Sequence, residues 1–199
     1  MGLERGFGSC KRKGDQLVDM PFDSKSTMRF LWAVVLLLSL VKRGQSQSAS
    51  LGTPFTGPNA DLYADGDKFA IKTNNSEVLI ERFDIHLRNV TVDMQVWTRN
   101  GFPLATNQGD WTIRWTGNVT GLGKGVATPL PAFNLLVPKN YTLGVYVTTK
   151  TQAQNHMFHS TGVKQKDVFA SDDYISIMEG LSPKYFHGIY SQPTRWNGE

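Results

Sequence analysis

Beyond Leu51, apolar and polar residues alternate with a period of two, and Gly, Pro, Asn and Asp interrupt the alternation about every ten residues. Successive side chains of a strand point to opposite faces, so a period of two broken by frequent turns marks an all-β chain. In residues 78–87, Phe83, Ile85 and Leu87 share one face and Arg82, Asp84 and His86 the other. Residues 90–98 set Val90, Val92, Met94 and Val96 against Thr91, Asp93, Gln95 and Trp97. Residues 111–120 set Trp111, Ile113, Trp115, Gly117 and Val119 against Thr112, Arg114, Thr116, Asn118 and Thr120, and residues 141–149 set Leu143, Val145 and Val147 against Thr142, Gly144, Tyr146 and Thr148. Shorter strands are expected at 68–73, 126–137 (interrupted by Pro129 and Pro131), 156–161, 167–170 and 174–179. The proline-bearing stretch belongs at a sheet edge, where a missing ladder donor is tolerated.

Strands with one apolar face bury it against a second sheet. The pattern therefore predicts an all-β domain over residues 65–199, an antiparallel β-sandwich of about eight or nine strands, jelly-roll-like, behind an N-terminal signal segment. A closed barrel is the alternative. Residues 49–64 read as a linker.

Residues 30–41 (FLWAVVLLLSLV) form a twelve-residue apolar run preceded by Met28-Arg29, with small residues following at Gly44, Ser46, Ser48 and Ala49. A membrane-spanning helix needs about 20 apolar residues, so no stable membrane span is expected, and the run fits the h-region of a secretory signal peptide. Residues 1–48 are then a polar extension plus signal peptide, with Met28 a candidate start. Lys42-Arg43 departs from the usual uncharged region after the apolar run, and a signal anchor is the alternative.

The net charge of +4 changes meaning once placed along the chain. Residues 1–50 carry eight Lys or Arg against four acids, and residues 51–199 carry thirteen of each. The domain is thus neutral and offers no basic stripe for phosphates, which excludes nucleic acid as the expected partner. The single cysteine, Cys10, lies upstream of the apolar run, so the domain has no disulfide, thiolate zinc site or cysteine nucleophile. Four Asn-x-Ser/Thr sequons occur, at Asn74, Asn89, Asn118 and Asn140. Asn74, Asn89 and Asn140 fall in expected turns and Asn118 on a polar strand face, so each glycan would point outward.

Residues 65–198 resemble a family of secreted, largely uncharacterised β-sandwich domains from bacteria and microbial algae. The resemblance lies in residues 67–71 (DKFAI), 92–101 (VDMQVWTRNG), 170–172 (ASD) through 177–180 (IMEG), and the closing 192–198 (QPTRWNG). It implies a β-sandwich and an extracellular location, and it brings no activity with it.

Candidate chemistry is sparse. His156 and His159 are three apart on an expected strand and face opposite ways, a poor metal pair. No nucleophile elbow, HExxH or phosphate-loop motif occurs, and the glycine-rich residues 117–125 (GNVTGLGKG) read as an interstrand loop. A glycosidase needs two carboxylates about 5–10 Å apart; Asp172-Asp173 with Glu179, and Asp65 with Asp67, are the available pairs. Asp61, Asp65 and Asp67 (DLYADGD) cluster enough oxygens to raise Ca²⁺ as a ligand, the only cofactor expected. Trp97, among Thr91, Asp93 and Gln95, is the expected ligand-binding residue, because an indole on a polar face suits stacking against a sugar or a partner. Trp111 and Trp115 are expected core, and Trp196 an anchor for the last segment.

The expected function is a non-catalytic secreted or cell-surface module for glycan or matrix binding, adhesion or surface structure, with a secreted glycosidase-like hydrolase, its carboxylates supplied by loops, as the alternative. The mature chain is expected to begin between Gln45 and Ala49. N-terminal sequencing and intact mass of secreted material check this, and a cell-retained chain still carrying residues 30–41 would establish the anchor instead.

Overall fold

A computed structural model describes residues 49–53, 62–104, 107–150, 155–183 and 193–198. Residues 1–48, including the apolar run, lie outside the described residues, as does Asp61. The described residues fall within one compact unit, Ala49–Glu199. No helix among them is long and apolar enough to cross a membrane.

The chain is all-β, with antiparallel sheets packed face to face as a β-sandwich. In chain order the strands are β1 (Leu62–Ala64), β2 (Gly66–Thr73), β3 (Val78–Ile80), β4 (Asp84–His86), β5 (Thr91–Asn100), β6 (Thr112–Thr120), β7 (Ala127–Pro129), β8 (Leu135–Val137), β9 (Thr142–Thr149), β10 (Met157–Thr161), β11 (Val168–Ser171), β12 (Ile175–Leu181) and β13 (Pro193–Arg195). Nine build one open sheet in the order β1-β10-β13-β12-β2-β9-β5-β6, with β11 added against β12. The opposing layer is two short ribbons, β3-β8 and β4-β7.

Period-two alternation accounts for the core between the layers. Phe69 and Ile71 of β2, Val92, Met94 and Val96 of β5, and Val145 and Val147 of β9 face Ile80, Phe83, Ile85, Leu130 and Val137 of the ribbon layer. Trp196 stacks on Phe69 with ring centroids 4.6 Å apart and anchors the final segment as expected. The expected strand at 78–87 is two, β3 and β4, yet Phe83, Ile85 and Leu87 all face the core. Pro129 lies on the short ribbon strand β7, opposite Asp84.

Residues 49–64 are not simply a linker. Thr53 is buried and donates its hydroxyl to the carbonyls of Trp196 and Gly198, and Leu62–Ala64 pairs with β10. The alternation missed β1 because three residues are too few to establish a period.

A second correction concerns the tryptophans. Val96 pairs with Trp115 and Trp97 with Ile113, so Arg114 is an extra residue in β6, a β-bulge. One inserted residue swaps the faces on either side of it. Trp115 therefore sides with Val96 and packs, half-buried, against the main core, while Trp111 joins Trp97 and Tyr146 in a separate cluster on the sheet's other face. Trp97 points away from Val92, Met94 and Val96 as parity requires, but it is only 8% exposed. The β5–β6 connection folds back over that face: a side chain at Gly144 of β9 would strike the Gly101 carbonyl and Pro103.

Trp97→Ala and Trp111→Ala are expected to cost about 3–5 kcal/mol each, the range for emptying a buried aromatic site, and half-buried Trp115→Ala less. Denaturant melts of the three variants measure this.

Candidate functional site

The start of β2 brings Asp65 and Asp67 into buried positions. The Asp65 carbonyl accepts from the Thr149 amide and from the Thr148 and Thr149 hydroxyls, which pins this bend to the end of β9. Its Oδ1 accepts from the Asn155 amide at 3.0 Å. Asp67 Oδ1 accepts from the Thr194 hydroxyl at 2.8 Å, while Oδ2 has no hydrogen-bond partner among the described residues. Burial raises the Asp67 carboxyl from its ordinary 3.8 to about 8, against the lowering effect of the Thr194 hydrogen bond. With Asp61 outside the described residues, no group of three acidic, His or Cys side chains placed to hold a metal ion occurs among those described.

The face carrying Trp97 is a closed cluster. The Trp97 indole donates to Gln95 Oε1 at 3.1 Å, and Trp111 and Tyr146 lie 5.8 Å apart. Lys68 Nζ sits 4.9 Å from the Tyr146 ring centre and 5.2 Å from that of Trp111, with the Arg99 guanidinium 5.8 Å from Trp111. Burial, then the nearby Arg99 charge, lowers the Lys68 ammonium from 10.5 to about 8. Trp97 thus presents no stacking face to solvent, which removes the exposure expected of it as a ligand platform. A buried lysine was illegible in the sequence, since Lys68 occupies an outward position of its strand and only the fold covers it.

A concavity among the described residues lies toward the other end of the large sheet. A cleft of about 250 Å³ opens where β1, β10 and β13 meet, lined by Leu62, Asp65, His159, Thr161, Ser182 and Thr194 among others. Leu62 is 40% exposed, and at the same place Tyr63 packs on Phe158 at 4.8 Å beneath the Arg88 guanidinium. His159 is buried, its Nδ1 has no hydrogen-bond partner among the described residues, and burial lowers its pKa to about 4. Its imidazole is therefore neutral at neutral pH. The Ser182 hydroxyl donates to the Gly66 carbonyl at 2.9 Å, as the Thr194 hydroxyl does to Asp67. Sequence reasoning passed over this cleft because its walls come from segments about 130 residues apart, as the Asp67–Thr194 hydrogen bond illustrates.

Other candidates take structural roles. Asp172 Oδ1 accepts from the Tyr174 and Ile175 amides at 2.7 Å, the Asx turn that starts β12. Glu179 is 1% exposed near the far end of that strand; its Oε1 accepts from Arg195 Nε at 2.6 Å and its Oε2 from the Val163 and Lys164 amides. The two acids so lie at opposite ends of β12. Within the glycine-rich stretch, Gly123 and Gly125 have positive φ and turn the chain between β6 and β7. Asn89, Asn118 and Asn140 are exposed, whereas Asn74 is half-buried and its amide nitrogen donates to the Asp173 carbonyl at 3.1 Å.

Comparison with protein-family models finds no match to this chain, and comparison with curated proteins finds none.

Asp67 sets a pH dependence. The unfolded chain ionises this group above about pH 4, while the folded chain keeps it protonated to about 8, so its contribution to stability is present at acid pH and lost as pH rises through that window. Asp67→Asn keeps an acceptor for Thr194 without the charge. The variant is expected to match the parent near pH 4 and to exceed it by about 1–3 kcal/mol at pH 8, read from urea melts across the range.

Proposed function

We propose that this chain is a non-catalytic secreted module that binds glycan at the cell surface or in the matrix, and that the edge cleft is its binding site. The observation that carries this is the cleft's composition: an apolar wall at Leu62 beside a few polar side chains, His159, Thr161, Ser182 and Thr194 among them. Ligand sites combine concave apolar surface with a small number of placed polar groups in this way. The apolar run at 30–41, three sequons at exposed positions and the resemblance to secreted β-sandwich domains support the extracellular setting.

A hydrolase at the same place would need an oriented base or two carboxylates flanking the substrate. Among the described walls Asp65 is the single carboxyl, and His159 Nδ1 is not held by an acid. Purified protein is expected to be retained on a glycan array and to give no turnover on a broad glycoside and ester panel. Turnover that Asp65→Asn abolishes would replace this function with the hydrolytic one.

A further inference from the structure

The large sheet ends in β6, and among the described residues no strand pairs with its outer edge. The Lys150 amide, just past β9, donates to the Asp93 carbonyl at 2.8 Å, so the Asp93 backbone faces β9. Across β5 and β6 Asp93 pairs with Asn118. Backbone direction alternates along an antiparallel ladder, so this is a non-hydrogen-bonded pair, and the N–H and C=O of Asn118 point away from β5. Those of Thr116 and Thr120, of the same parity, do likewise. The Gly121 amide, of the other parity, donates back to the Val90 carbonyl and fits the same alternation. Thr116, Asn118 and Thr120 are all exposed, and such a row of open donors and acceptors is a template for another strand.

Sheet edges are ordinarily guarded by proline, charge, a bulge or shortness. The bulge at Arg114 guards only the start of β6, and residues 115–120 (WTGNVT) hold no charge and no proline. What they hold is a sequon, with Asn118 in the middle of the open row. The edge is also self-complementary. Two copies of β6 set antiparallel about Gly117 bring Thr116 of one against Asn118 of the other, both with backbone groups turned toward the partner. Trp115 then lies against Val119 on the core side. Trp115 is half-buried and leans over Gly117, where an added Cβ would come 2.8 Å from its ring, so the pairing extends its cover.

We infer that β6 pairs with β6 of a second copy of this chain when its edge is bare, and that an N-linked glycan on Asn118 keeps the chain monomeric. This rests on the extracellular setting proposed above and is independent of the cleft. In the pair the two Asn118 side chains are diagonal neighbours on one face, about 7–8 Å apart, and a bulky glycan on each crowds the other out.

The test uses the full chain expressed in a eukaryotic host, beside Asn118→Gln, with intact mass to read sequon occupancy and sedimentation to read size up to about 1 mM protein. The pairing surface is small, so association is expected to depend on concentration. The parent is expected to carry a glycan on Asn118 and stay monomeric, Asn118→Gln to dimerise reversibly, and Thr116→Pro added to Asn118→Gln to restore the monomer. Thr116 turns its N–H to the open edge, so proline there removes no bond to β5. Amide exchange at Thr116 and Asn118 is expected to slow in the Asn118→Gln dimer, and this decides even where the proline variant fails to fold. Asn118→Gln monomeric throughout, or a dimer with those two amides unprotected, overturns the pairing. A glycosylated parent that dimerises, or Asn118 bare while other sequons carry glycan, overturns the guard. A chain with no glycan on any sequon overturns the guard and the extracellular setting together.

Discussion

The pairing of β2 with β9 is the constraint on which the rest of the structure depends. These strands run side by side from Gly66↔Thr148 to Lys72↔Thr142 in the middle of the large sheet, and both are buried along nearly their whole length on both faces. A strand buried on both sides needs a cover on each. On one side the cover is the ribbon layer, which meets Phe69, Ile71, Val145 and Val147. On the other side Ala70, Gly144 and Tyr146 face the Trp97–Trp111 cluster and the returning β5–β6 connection. Lys68, a charged residue in an outward position, is carried under that second cover and rests its ammonium on two aromatic rings, an attraction that offsets part of the cost of leaving water.

Toward the other end of the sheet, close backbone packing replaces apolar burial. The register between β12 and β2 slips between Met178 and Leu181, and at Gly180 a side chain would collide with the Lys68 carbonyl. That close approach is consistent with Thr194, paired with Gly180, reaching Asp67 on β2. Glu179, at the same irregularity, gathers Arg195 and the amides of Val163 and Lys164, tying β13 and the β10–β11 turn to β12. Polar side chains are buried here in numbers an apolar core does not hold, and the cleft lies along them. The hydrogen bond from Thr194 to Asp67 therefore ties β13 to β2 beside the cleft that Thr194 helps to line.

The sequence by itself determined the class of fold and most of the inward-facing residues. Phe83, Ile85, Leu87, Val92, Met94, Val96, Leu143, Val145 and Val147 are where period-two alternation places them, because one apolar face per strand is a local property that burial only has to ratify. Trp196 was legible for a related reason, being a large apolar side chain in a segment with little else to hold it. Only the tertiary structure decided the rest. The bulge at Arg114 inverts the faces of β6 and parts Trp111 from Trp115, and nothing in local alternation marks an inserted residue until its partner strand is known. Whether Trp97 is covered depends on where the chain around residues 101–103 returns, a long-range matter. The raised pKa of Asp67, the lowered pKa of His159 and the hydrogen bonds of the Ser182 and Thr194 hydroxyls arise from burial beside strands far away in the chain, and desolvation is a property of the assembled environment rather than of the residue.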